Sequence, residues 1–266
     1  MPAPGAGGGR GAGEMTAGRR GGTSGGTSGG GISGGRRLPR QRLRSAKPRS
    51  QSSRAWLERQ LNDPYVAAAR REGYRSRAAY KLTEIDARFH ILRPGRRVVD
   101  LGAAPGGWAQ VAAEAVRSAE GPGSQVGQVV AIDLLPVEPI PGVELIQLDF
   151  MDPAAPDRLR HMLRGHRADV VLSDMAAQGT GHTRTDHLRI VGLAEAAAEF
   201  ACEVLEAGGA FVCKVFQGGS ERALLDVLKR AFATVKHVKP PASRVESAEM
   251  YVVATGFRGV EGKAPR

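Results

Sequence analysis

The chain reads as an α/β fold: a seven-stranded, mostly parallel sheet with one antiparallel strand and helices on both faces. From Arg97 onward, short apolar runs alternate with longer segments of helical periodicity, as in strands joined by crossover helices. The runs are nearly all apolar, as befits strands covered on both faces. The last two have only a short connection around Pro240-Pro241 and no helix between them. They can therefore pair as a hairpin, which makes one strand run against the rest.

Residues 1–35 hold 16 of the 36 glycines and the repeat GGTSGGTSGG. Such a segment buries too little apolar surface to offset its ordering entropy. Residues 1–50 are therefore expected to be a disordered Gly/Arg-rich basic tail. It is either a solvated extension, with Met15 as an alternative start, or an arm that adds non-specific attraction to phosphates; the solvated reading is preferred. Residues 51–95 form a helical lead-in to the core. Ser53 caps a short helix ending at Leu61, and Asn62-Asp63-Pro64 breaks it and starts a second helix, from Pro64 to about Arg71. Ser76 caps a third, with Ala79, Leu82, Ile85 and Phe89 on one face, and Pro94-Gly95 ends the segment.

The core spans 96–258. Its strand-like runs are Arg97–Leu101, Val129–Ile132, Glu144–Leu148, Asp169–Leu172, Ala210–Val215, Val235–Val238 and Tyr251–Ala254. Its helical stretches fall at about Gly107–Ala119, Pro156–Arg164, Asp186–Glu206 and Ser220–Ala231. Residues 259–266 form a C-terminal tail.

At 266 residues and 41% apolar, the chain is long enough to bury a core. No run reaches the ~18 apolar residues of a membrane helix, and the N-terminus carries no apolar signal stretch. The two cysteines, Cys202 and Cys213, argue against a disulfide framework or a cysteine-based metal site and suit a reducing cytoplasm. A cytoplasmic monomer without a metal or a membrane contact is expected. The net charge of +11 suggests nucleic acid, but residues 1–54 hold eleven basic residues against the single acid Glu14. The remainder has 27 basic and 26 acidic residues, so any RNA site on the folded part must be a local patch.

In open α/β sheets, ligands bind beyond the carboxyl ends of the strands. The first strand ends in the loop Asp100-Leu101-Gly102-Ala103-Ala104-Pro105-Gly106-Gly107-Trp108. A phosphate loop would close with Gly-Lys-Ser/Thr, and a dinucleotide fingerprint would have a second glycine after Gly102-Ala103. This loop has neither, and Trp108 would crowd a pyrophosphate. A ligand without phosphate, an amino-acid-like tail joined to a nucleoside, suits it better. Asp133, at the end of the second strand, can accept from a ribose diol. Asp149-Phe150, at the end of the third, can accept from an exocyclic amine and pack on a purine. Taken singly, each acid reads better as a solvated loop carboxylate or a helix cap; acids after three successive strands are harder to read that way.

The fourth strand ends in Ser173-Asp174-Met175, and the fifth carries Lys214 between apolar neighbours. A strand lysine in such a sheet either finds a partner or snorkels to solvent. Lys81, on the third lead-in helix, and Glu249, before the last strand, are weak signals alone. Cys213 faces the opposite side of its strand from Lys214, and Cys202 reads as core.

At these residues the chain resembles the FtsJ/RrmJ family, from about Ser52 to Gly256. The segments that carry the resemblance are Arg75 to Leu82, Asp100 to Trp108, Asp133-Leu134-Leu135-Pro136, Ser173-Asp174-Met175-Ala176, Lys214-Val215-Phe216-Gln217-Gly218, and Ser243-Arg244 with Glu249-Met250-Tyr251. Ala177-Gln178 depart from the Pro-Asn expected after Ser-Asp-Met-Ala. The resemblance implies a Rossmann-like fold and S-adenosylmethionine-dependent methylation of a ribose 2′-hydroxyl. It implies a catalytic set of Lys81, Asp174, Lys214 and Glu249, with Lys214 as the proton acceptor. It also implies cofactor contacts at Gly106, Trp108, Asp133, Asp149 and Asp174. The implied substrate is a uridine in the A-loop of large-subunit (23S) rRNA within the 50S particle.

Methyl transfer from a sulfonium is an in-line displacement, so the enzyme mainly aligns and desolvates, and a ribose hydroxyl needs its proton drawn off. Attack through pyrimidine C5 would need a cysteine nucleophile at the site, and exocyclic-amine methylation a different loop after the fourth strand. Arg70, Arg71, Arg75, Arg77 and Lys81, and separately Lys236, Lys239 and Arg244, can hold phosphates or be ordinary solvated charges. Rival readings are a 2′-O-methyltransferase of a tRNA anticodon loop, a non-catalytic RNA-binding ribosome assembly factor, and a nicotinamide dehydrogenase. The intact Lys-Asp-Lys-Glu set counts against the second and the loop spacing against the third.

Overall fold

The seven strands are β1 (Arg97–Leu101), β2 (Gln128–Asp133), β3 (Val143–Gln147), β4 (Ala168–Ser173), β5 (Leu205–Phe216), β6 (Phe232–Val238) and β7 (Glu249–Phe257), and they lie side by side in the order β3-β2-β1-β4-β5-β7-β6. The computed structural model describes residues 57, 60–121, 125–176, 183–216 and 222–259. The basic tail, most of the first lead-in helix and nearly all of the C-terminal tail lie outside these. The described residues all belong to the unit Gln41–Arg266.

β1 to β5 are mutually parallel, while β7 lies between β5 and β6 and runs antiparallel to both. The expected hairpin is therefore present, but its connection is ten residues, 239–248, and its second strand pairs on both edges. Strand order reverses between β1 and β4, which opens a crevice beyond their carboxyl ends.

The helices are α1 (Pro64–Glu72), α2 (Ala78–Phe89), α3 (Gly107–Val116), α4 (Ala155–Met162), α5 (Thr183–Val204) and α6 (Arg222–Ala231). On one side of the sheet, Val99, Val171 and Phe211 pack under α4, α5 and α6 through Leu159, Ala197 and Leu228. On the other, Val98, Leu172, Val212 and Val253 pack under α2 and α3 through Leu82, Ile85 and Val111. The alternation of strand side chains sends odd and even positions of β1 into different cores.

Local chemistry sets the helix ends. Asp63 caps α1 by accepting from the Tyr65 N–H at 3.0 Å, with Pro64 in the first turn. Ser76 does not cap α2: the helix begins at Ala78, and no side chain caps it. The Ser76 hydroxyl instead lies against Gly107, where an added Cβ would stand 2.5 Å from its Oγ. α3 ends at Val116 because Arg117 turns to φ 62°. α5 gives way directly to β5, which starts five residues ahead of the expected Ala210 and includes Gly208 at φ 81°.

Several cations read as either phosphate contacts or solvated charges are committed to the protein itself. The Arg75 guanidinium donates to the carbonyls of Glu138 at 2.6 Å, Pro139 at 2.7 Å and Pro105 at 3.4 Å, clasping α2's approach to the β2–β3 connection and to the loop before α3. Arg77 pairs with Asp63 and donates to the Ala242 carbonyl. Arg244 Nε lies 3.6 Å from the same Asp63 carboxylate. Lys239 donates to the carbonyls of Val245 and Ser247. Glu84 of α2 accepts from the Ala242 N–H at 2.7 Å. α1, α2 and the β6–β7 loop are thus tied through two carboxylates. Arg70 and Lys236 are exposed and form no ion pair with another described residue.

Asp63→Ala removes a helix cap and leaves two part-buried guanidinium groups without their carboxylate. It should lower stability by about 3 kcal/mol, read as a fall in the urea midpoint. An unchanged midpoint would show that the β6–β7 loop is held by other contacts.

Candidate active site

Two lysines lie beneath the surface at the carboxyl end of the sheet: Lys81 from α2 and Lys214 from β5, at 8% and 6% exposure. An ammonium is tolerated there only when its protons are taken up. Lys214 Nζ lies 2.8 Å from Asp174 Oδ1 and donates to the Asp174 backbone carbonyl at 2.7 Å. Lys81 Nζ lies 3.0 Å from Glu249 Oε2. The two pairs are joined by Tyr251, whose hydroxyl accepts from Lys81 Nζ at 3.1 Å and donates to Asp174 Oδ1 at 2.7 Å. The result is one continuous chain, Glu249–Lys81–Tyr251–Asp174–Lys214, built from α2, β4, β5 and β7.

The antiparallel strand makes this assembly. In register, Tyr251 stands opposite Lys214 and Glu249 opposite Phe216, and the period of two puts Glu249 and Tyr251 on one face of β7. Burial, then the Asp174 carboxylate, hold the Tyr251 phenol well above its ordinary pKa, so it is a neutral hydrogen-bonding group. The Tyr251 ring packs on Trp108, centroids 5.4 Å apart, and the indole N–H donates to the Ala78 carbonyl at 2.8 Å. Trp108 is itself 2% exposed and buttresses the tyrosine.

Beside the chain lies a cleft of about 790 Å³, bordered by Gly102, Asp133, Asp149 and Asp174 at four strand ends, with Met175 and Arg189. Gly102 adopts φ 80° where an added Cβ would stand 2.6 Å from Met175 Cγ, so only glycine lets the β1 and β4 loops meet. Asp133 accepts from the Ala104 N–H at 2.8 Å through Oδ2 and from the Leu135 N–H at 2.7 Å through Oδ1. Each oxygen keeps a lone pair for a ligand. Asp149 accepts from the Met151 N–H at 2.9 Å. Leu134, Leu135 and Met151 line the cleft and are more than half exposed, which suits a flat apolar ring. Phe150 also borders the cleft, though mostly buried, with its ring packed on Phe200 at 5.7 Å.

The structure thus brings Lys81, Asp174, Lys214 and Glu249 together and sets Asp133, Asp149 and Asp174 around one cleft. Gly106 and Trp108 do not border it. Gly106, at φ 114°, sits against Ile140 and Arg75 at the start of α3. Tyr251 is absent from the sequence-based set, although its spacing of two from Glu249 was available as a signal. So is Asp100, the last polar residue inside β1, which is wholly buried with neither carboxylate oxygen hydrogen-bonded among the described residues. Burial, then the charges of Asp174 and Asp133, push its pKa up to about 8. Among the described residues no group of three His, Cys, Asp or Glu side chains is placed to hold a metal, and no helix is long and apolar enough to cross a membrane.

A parallel sheet with its strand order reversed beside β1, a reversed seventh strand and acids at successive strand ends defines an α/β methyltransferase of the Rossmann-like type. Residues 74–257 match the FtsJ-like methyltransferases, and the chain belongs to that family. It is 64% identical over 213 residues to the "Ribosomal RNA large subunit methyltransferase E" of Rhodopseudomonas palustris, covering 80% of this chain and 89% of that one. It is 61% identical over 218 residues to the protein of the same name from Azorhizobium caulinodans, covering 82% and 89%. Among solved structures, one described as a ribosomal RNA methyltransferase from Plasmodium falciparum superposes with a TM-score of 0.61 at 31% identity, over 70% of this chain and all of that one.

Tyr251→Phe keeps the ring on Trp108 and removes the hydroxyl between Lys81 and Asp174. Losing hydrogen bonds to charged partners costs about 1.5–3 kcal/mol, so single-turnover methyl transfer should slow roughly 10- to 100-fold. Thermal unfolding should change far less. A wild-type rate would mean that the two ion pairs act independently.

Proposed function

We propose that this protein transfers a methyl group from S-adenosylmethionine to the 2′-hydroxyl of a uridine in the A-loop of large-subunit rRNA, on the assembled 50S particle, as a cytoplasmic monomer. The observation that carries the reading is the buried chain from Lys214 to Glu249 beside an acidic, partly apolar cleft. The names of the relatives support a large-subunit rRNA substrate.

The residues present fit the donor. Asp133 has lone pairs to spare for a ribose diol, Asp149 for an exocyclic amine, and the exposed Leu134, Leu135 and Met151 for the base. The orphaned buried carboxylate of Asp100 lies next to Asp133 and Asp174 and suits a cationic ligand. Gly106 and Trp108 contribute through the start of α3 rather than by facing the cleft. When bound, S-adenosylmethionine supplies an electrophilic methyl on a sulfonium.

The chain's own residues do the rest. Lys214 directs two contacts to Asp174, at 2.7 and 2.8 Å. Once its third proton has been given to solvent, the amine retains one lone pair, and that lone pair takes the proton of the 2′-hydroxyl. Asp174 holds Lys214 in place and is itself fixed by its N–H on the Leu101 carbonyl at 3.2 Å. Lys81, held by Glu249 and Tyr251, orients the ribose. Burial of this set excludes water and keeps the displacement in line.

Mapping 2′-O-methylation in rRNA and tRNA from a strain lacking the protein tests the substrate. Loss of one A-loop mark with intact tRNA is expected; loss confined to a tRNA anticodon loop would transfer the same chemistry to that substrate. With purified particles, Lys214→Ala should cut single-turnover methylation by about 10²–10⁴-fold and leave donor affinity nearly unchanged. A near wild-type rate would exclude the proton-acceptor role. A second role for residues 1–50, beside the preferred one of a solvated extension, is non-specific attraction to RNA phosphates through their basic excess. Their removal should weaken particle binding and flatten its salt dependence with the saturated rate unchanged, and an equal salt slope would remove them from RNA contact.

A further inference from the structure

Asp100 takes no part in the chain of contacts that runs from Lys214 to Glu249, yet its position is costly. Its carboxyl group is fully buried, and neither oxygen has a hydrogen-bond partner among the described residues. A carboxylate so placed is paired, ligand-bound or neutral. The charged groups that act on it are Asp174 at the end of β4 and Asp133 at the end of β2, both bordering the cleft. Lys214 of β5 and Tyr251 of β7 lie against Asp174, and Lys81 of α2 lies beyond Tyr251. Arg189 of α5 and Asp149 border the same cleft, and α3 begins on Gly107 and Trp108, which carry no charge. Asp133 and Asp174 border the cleft, Asp100 lies fully buried on the strand between theirs, and of the three it is the one with no donor of its own.

We propose that Asp100 carries a proton in the empty protein, gives it up when a sulfonium-bearing donor enters the cleft, and regains one when methyl transfer removes that charge. The inference rests on the donor assignment made above. The balance is closed. On binding, the carboxylic acid becomes a carboxylate, and its proton leaves to solvent as the cationic donor arrives. In the reaction the methyl–sulfur bond breaks, a methyl–oxygen bond forms, and the hydroxyl proton passes to Lys214. The sulfonium becomes a neutral thioether, Lys214 releases the proton it took to solvent, and Asp100, now without the sulfonium charge beside it, takes up a proton from solvent. Asp100 thus matches the charge of the cleft floor to the charge of its occupant.

A pKa pushed up to about 8 agrees with the proton being present at neutral pH. It also sets the sign of the pH effect. A cation in the cleft favours the ionised form, so affinity for the sulfonium donor should rise with pH by up to about tenfold per unit and level off above about pH 8.

The measurement is calorimetric titration of the full-length protein with S-adenosylmethionine and with S-adenosylhomocysteine, at pH 7, in two buffers of different ionisation enthalpy. The ligands share their ammonium, carboxylate and nucleoside and differ in the sulfonium. Most of one proton should be released with the first and clearly less with the second. In Asp100→Asn the difference should vanish and the pH dependence of affinity should flatten. The infrared difference spectrum of the wild-type protein should lose a protonated-carboxyl band on binding the sulfonium ligand only. Equal proton release with the two ligands in the wild-type protein overturns the inference even if the variant does not fold, as does a difference that persists in Asp100→Asn. Absence of binding by both ligands overturns the donor assignment and this inference together.

Discussion

The Asp174 carboxylate holds the centre of this molecule together. One of its oxygens receives both the Tyr251 hydroxyl and the Lys214 ammonium, and through Tyr251 it reaches Lys81 and Glu249. Stripping water from an unpaired lysine costs several kcal/mol, and here two lysines are stripped of it within one small volume. Each has a carboxylate, and the phenol between them takes a hydrogen bond from one pair and gives one to the other. The arrangement needs a strand that turns back, because Glu249 and Tyr251 must come in beside Lys214 from the neighbouring edge. The reversed β7, which breaks an otherwise parallel sheet, is thus the structural condition for burying both lysines.

The fold was legible to a large extent because its signals are local. Apolar runs of the right length gave every strand to within a few residues, and the missing helix between the last two runs revealed the reversal. The ends were less legible. Ser76 is a good cap by residue type, but its side chain is packed against Gly107 of α3 and caps nothing, so tertiary packing overrides the local preference. β5 was underestimated at its start because Gly208-Gly209 look like a turn, yet the strand is counted from Leu205.

The site divides along the same line. Acids at strand ends are visible because topology puts all strand ends at one place, and Lys214 is visible because a charge in an apolar strand is anomalous. Tyr251 was passed over because a tyrosine in a strand is ordinary; only its register with Lys214 gives it a role. Trp108 stands out in the glycine loop, but its indole serves α2 and Tyr251 rather than the cleft. The arginines were the least legible. In sequence Arg75 and Arg77 read equally as phosphate contacts or solvated charges, and both are spent on carbonyl oxygens and on Asp63. Charge type alone does not distinguish a cation that awaits RNA from one that buckles two loops together.

The order β5-β7-β6 also bears on how the molecule comes into being. A chain made from its amino end produces β6 before β7, yet β6 has no neighbour in the sheet except β7. While α6 and β6 are being synthesised, β5 presents an unpaired edge that carries Lys214, and such edges are sticky. β6 must wait beside it without filling the gap, because the place next to β5 belongs to a strand not yet made. A charge on an open edge disfavours pairing with another strand, and Lys214 places one on that edge. The side chain assigned here to chemistry in the finished protein would thus, in the growing one, keep a slot open.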